Sequence, residues 1–72
     1  MGFDRDAFAA NLRGLRARAD LTQAQLAKRA GVSAAAVFQY EDGSAVPGMD
    51  KAFHLAEALG VTVDELTGFV RG

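Results

Sequence analysis

Apolar side chains recur along this chain at intervals of three and four, and the polar positions between them mark where each run begins and stops. Phe8, Leu12, Leu15 and Ala19 line one face of a helix over roughly residues 5–19, with Arg13, Arg16 and Arg18 largely off that line. Asp20 ends this first helix, because aspartate takes the left-handed conformation better than most non-glycine residues. In "LTQAQLAKRAG", Thr22 followed three residues later by Gln25 has the spacing of a capping box, and Gly31 closes a short second helix over about 23–30. Ser33 caps a third helix that runs through "AAAVFQYE" to Gly43. Gly43, Pro47 and Gly48 make "GSAVPG" a loop.

From Met49 to Leu59 the residues Met49, Ala52, Phe53, Leu55, Ala56 and Leu59 fall in one broad arc at about 100° per residue, the mark of a fourth helix. Gly60 stops it. Thr62 with Glu65 repeats the capping-box spacing and opens a fifth helix through Leu66 toward Val70. The pattern predicts an all-α fold of five helices, one domain over residues 1–72, with no internal repeat.

Composition narrows this picture. Half of the 72 residues are apolar and a single proline is present, as expected of a compact helical bundle near the lower size limit for a packed core. The chain has no cysteine, which excludes disulfides, thiol nucleophiles and thiolate metal sites. No run approaches the roughly 18–20 apolar residues of a membrane span, and Asp4, Arg5 and Asp6 stand where a signal peptide needs an apolar core. A cytoplasmic protein without a membrane partner is expected. Catalysis needs convergent titratable groups, and the one candidate cluster is Asp50, His54 and Glu57 on a flank of the fourth helix, which reads as a solvated face. No enzyme, metal, cofactor or small-molecule ligand is expected. The net charge of −1 is split: residues 1–32 carry six basic and three acidic side chains, and residues 33–72 carry two and six. The first half therefore suits an anionic partner better than the second.

Residues 22–41 carry the most information. Two helices joined by a three- to four-residue turn cross steeply, which requires a small residue on the first, a left-handed residue in the turn and branched packing on the second. Ala27, Gly31 and Val37 meet these needs in order, supported by Leu26, Ala30, Val32 and Tyr40. This is a helix-turn-helix pattern. With "LRGLR" before it, "LTQAQLAKRAGVS" through the turn, "YEDG" closing the third helix, a proline four residues after that glycine and "LAEALGVTVDEL" at the end, the chain resembles the XRE-like domains of Cro and phage repressors over roughly residues 8–66, leaving 67–72 as a tail. The resemblance implies a five-helix, lambda-repressor-like DNA-binding domain that places its third helix in the major groove of double-stranded DNA, commonly as a homodimer.

It also implies roles for particular residues. Family members pair an arginine late in the first helix with a glutamate near the end of the third, here Arg16 and Glu41, and the periodicity agrees in placing both beside apolar faces. A phosphate-contacting glutamine opens the family's second helix, here Gln23, where helix-end amides favour an anion. Ser33, Ser44 and Arg13 are further phosphate candidates. On the third helix, Val37 and Tyr40 turn inward while Ala34, Ala35, Phe38 and Gln39 are left for the bases. Gln39 suits the N6 and N7 edge of adenine, and the alanines suit thymine methyl groups.

Phe38 has three destinations open: a DNA contact, packing back onto the second helix, or an anchor for a protein partner. Where relatives carry basic residues, this chain has "AAA" and "SAV", so few phosphates are neutralised. Operator binding then calls for a dimer, and the apolar tail residues Phe69 and Val70 either contribute to its contact or fold back onto the first helix. The competing expectation is a protein-interaction module on the same fold, with weak DNA binding or none.

Overall fold

Helices in this protein begin where a side chain takes up otherwise unused amide hydrogens. The computed structural model describes residues 4–68, which form α1 (Arg5–Arg18), α2 (Gln23–Ala30), α3 (Ala34–Asp42), α4 (Met49–Leu59) and α5 (Val63–Thr67). Asp4 accepts from the amides of Asp6 and Ala7 at the start of α1, and Ser33 accepts from Ala36 at the start of α3. Thr22 and Gln25 cap α2 reciprocally, as Thr62 and Glu65 cap α5. Hydrogen bonds from Thr62 hold the Glu65 carboxyl below its usual range. Each such cap contributes about 1 kcal/mol.

The helix ends share one device. Leu21 N–H donates to Arg16 O at 3.2 Å, Val32 N–H to Ala27 O at 3.0 Å and Val61 N–H to Ala56 O at 2.9 Å, each satisfying a carbonyl the helix leaves over. The chain reverses at Asp20, Gly31 and Gly60, all left-handed, and Asp20 at φ 59° is the non-glycine residue with positive φ among the described residues.

Phe8, Leu12, Leu26, Val37, Leu55 and Leu66 form the fully buried centre. Burying a side chain of this size stabilises the fold by about 1.5–3 kcal/mol. α1 packs on α3 and α5, α4 on α2 and α5, and α2 on α3. α3 is thus seated from beneath and behind by α1 and α2, and its far side has no comparable neighbour. Gly43 brings the end of α3 close to the start of α1: a Cβ there would lie 2.9 Å from an Asp6 carboxylate oxygen, at a φ of 83°.

Three expectations are corrected. Ala19 is exposed, because α1 ends at Arg18 and Ala19 already belongs to the turn. The apolar arc of α4 is only partly covered. Leu55 and Ala56 are buried and Ala52 and Leu59 half-buried, but Met49 is 78% and Phe53 57% exposed. Met49 and Phe53 lie at the far edge of that arc, where the packing of α2 and α5 leaves them mostly open. Lastly, α5 stops at Thr67 because Gly68 is left-handed, and Asn11 donates to the carbonyls of Glu65 and Leu66 at 2.6 and 2.7 Å. Phe69 and Val70, the tail residues considered for dimer contact, lie outside the described residues.

Gly14 is exposed within α1, and a Cβ there would meet nothing within 4 Å. Gly14→Ala should therefore stabilise the protein by about 1 kcal/mol, raising Tm by about 4–8 °C in a thermal melt.

Candidate nucleic-acid interface

α3 is an amphipathic helix with an unusual outer face. Val37, Tyr40 and Glu41 are buried, whereas Ala34, Ala35, Phe38, Gln39 and Asp42 are exposed. Phe38 is 55% exposed, so more than half of its ring is open to a partner. Asp42 is the residue that sequence reasoning missed. It follows Ala35, Phe38 and Gln39 by seven, four and three positions, so the same 100° count that brings those residues outward places Asp42 among them. Its carboxylate accepts from Ser44 N–H at 2.8 Å and Ser44 O–H at 2.6 Å, and these bonds hold its pKa below the ordinary aspartate value. Asp42 therefore remains ionised at neutral pH on a face otherwise made of alanine, phenylalanine and glutamine.

The inner side of α3 is fixed by one buried carboxylate. Glu41 is 3% exposed and forms a two-pronged ion pair with Arg16, Nε to Oε2 at 2.6 Å and Nη2 to Oε1 at 3.0 Å. Arg16 Nη1 also donates to Leu21 O at 2.8 Å, tying α1, the first turn and α3 together. The guanidinium is held as a cation, its pKa raised first by its hydrogen bond to Glu41. The planar fork matches the carboxylate, and this geometry makes a buried charge tolerable.

The four residues considered for phosphate contact fall in three places. Gln23, the first residue of α2, donates from Nε2 to Glu41 Oε1 at 3.1 Å. Arg13 donates from Nη1 to the Glu41 main-chain carbonyl, where a cation also complements the end of the helix. The Ser33 hydroxyl accepts from Ala36 N–H at the start of α3, keeping its own O–H to donate. Ser44 is differently employed, since both its N–H and O–H are turned toward Asp42 and the Gln39 carbonyl. Gln23 and Arg13 are thus drawn together at Glu41, Ser33 sits at the opposite end of α3, and Ser44 serves the turn.

Elsewhere, α4 and α5 enclose an open groove lined by Phe53, His54, Glu57, Val61, Val63 and Asp64. Asp50, His54 and Glu57 are all exposed, and among the described residues no group of three or more His, Asp and Glu is placed to hold a metal ion. Nor is any helix among them long and apolar enough to cross a membrane.

Comparison with known proteins agrees with this geometry. A family profile described as "Helix-turn-helix domain" matches residues 7–68. The cryptic phage CTXphi transcriptional repressor RstR of Vibrio cholerae is 40% identical over 47 residues, which are 65% of this chain, and the chain spans 42% of that repressor's length. Among solved structures, the restriction-modification controller protein C.AhdI from Aeromonas hydrophila superposes with a TM-score of 0.85 at 32% identity, covering 88% of this chain and 96% of that one. An HTH_3 family transcriptional regulator from Vibrio cholerae superposes with a TM-score of 0.82 at 25% identity, covering 89% and 36%. The chain belongs to the XRE-like helix-turn-helix family.

Proposed function

We propose that this domain is a sequence-specific DNA-binding regulator of transcription that lays α3 in the major groove of an operator and binds as a dimer. The observation that carries the reading is the seating of α3: its inner side is locked by the Arg16–Glu41 pair, while its outer side presents Gln39 beside small apolar residues. Its relatives' names point the same way, one being a phage transcriptional repressor and another a restriction-modification controller.

Gln39 reads an adenine edge, and Ala34, Ala35 and Phe38 meet thymine methyl groups and sugar edges. Gln23 and Ser33 supply hydrogen bonds to phosphates. Arg13 donates to the Glu41 carbonyl through one nitrogen and has further N–H groups for a phosphate. Ser44 contributes least, because its donors are held within the turn. With so few cations at this face, one copy binds weakly, and two copies on adjacent half-sites reach useful affinity.

A second reading, a protein-interaction module, is favoured by two observations: the exposed Phe38 ring and the Asp42 carboxylate on the same face. Titration of purified protein with duplex DNA at decreasing salt separates the two. DNA binding that strengthens as salt is lowered supports the regulator, and no binding even at low salt supports the module. Asp42→Asn removes the charge and keeps an acceptor for Ser44. It should tighten DNA binding by about two- to fivefold on all sequences alike, because a fully exposed carboxylate repels phosphates through screened solvent. Loss of affinity at one base pair alone would instead make Asp42 a base reader.

A further inference from the structure

Glu41 holds more than its ion pair. Its Oε1 accepts both Arg16 Nη2 at 3.0 Å and Gln23 Nε2 at 3.1 Å, so residues from α1 and α2 meet on one oxygen of α3. An ionised carboxylate only accepts, so the NH2 end of the Gln23 amide is the end that faces it. That amide is planar with two N–H groups, and committing one of them to Glu41 fixes the direction of the other. Gln23 is half-buried, which further limits its rotamers. Thr22 already takes the amide hydrogen of Gln25, leaving the first amides of α2 outside the helix's own bonding.

We propose that Glu41 is a positioning residue for the phosphate contact, orienting the Gln23 side chain so that its second N–H and the first amides of α2 address one phosphate together. This rests on the DNA-binding reading and adds to it that the phosphate contact on α2 and the base-reading face on α3 are fixed to each other through one carboxylate. The freedom of Gln23 is lost on folding, not on binding, so the contact forms without a further ordering cost.

The test is a cycle of DNA affinities in four proteins: wild type, Gln23→Met, Arg16→Met/Glu41→Met, and the triple variant. Methionine keeps side-chain length without donors, and the paired replacement avoids leaving a lone buried charge. Gln23→Met is expected to weaken binding about tenfold on operator and unrelated duplexes alike. Arg16→Met/Glu41→Met should lose a similar factor while keeping its base preference and a urea midpoint much closer to wild type than that of Arg16→Met, and adding Gln23→Met to it should cost little more. Equal losses from Gln23→Met in both backgrounds would overturn the proposal, because Gln23 would then act without Glu41. So would nitrogen-15 relaxation showing the Gln23 side-chain NH2 of the free wild-type protein moving as freely as that of an exposed glutamine. If the wild type binds no duplex at low salt, the DNA-binding reading itself fails, an outcome distinct from additive losses in proteins that bind.

Discussion

Arg16→Met alone is expected to cost about 3 kcal/mol of folding stability, because it leaves the Glu41 carboxylate buried without its cation. The figure sits at the low end of what breaking a buried pair costs, since the Arg16 side chain is 21% exposed and Gln23 still donates to Glu41. For a domain of this size the loss is a large share of a total stability on the order of 5–10 kcal/mol. Urea unfolding should show a much lower midpoint with an unchanged slope. Arg16→Met/Glu41→Met should recover most of the loss, as two well-packed apolar chains replace the pair. A single variant as stable as wild type would mean that Glu41 is not held by Arg16 in solution.

Gln39→Ala should lower operator affinity by about 1–3 kcal/mol and relax preference at one base position, leaving folding untouched because the side chain is exposed. Binding to the operator and to a panel of single-base variants, measured at one salt concentration, reads this directly. A uniform loss across the panel would assign Gln39 to the backbone; no loss would remove the main base reader.

The caps made much of this fold legible. Thr22 with Gln25 and Thr62 with Glu65 place two helix starts to the residue, and Asp20, Gly31 and Gly43 mark the stops, because capping depends on neighbours in sequence. Burial at the edge of a helical face depends instead on which neighbours arrive. The arc from Met49 to Leu59 is the same whether two helices cover it or three, so periodicity alone could not show that Met49 and Phe53 stay exposed.

The site divides in the same way. The outward turn of Ala35, Phe38 and Gln39 follows from 100° per residue, and the identical count reaches Asp42, the last residue of α3, whose bonds to Ser44 come only with the folded turn after it. The convergence of Gln23 and Arg13 on Glu41 was not legible, since it joins residues 18 and 28 positions apart through a three-dimensional contact.

On the proposed function, α3 is a DNA-reading surface. Selection of bound sequences from a randomised duplex pool at low salt, followed by sequencing, tests it most directly. A two-fold symmetric motif with half-sites about one helical turn apart, carrying an adenine preference that Gln39→Ala abolishes, is the predicted result. A retained pool no different from the input, even where the phosphate attraction is strongest, would contradict it.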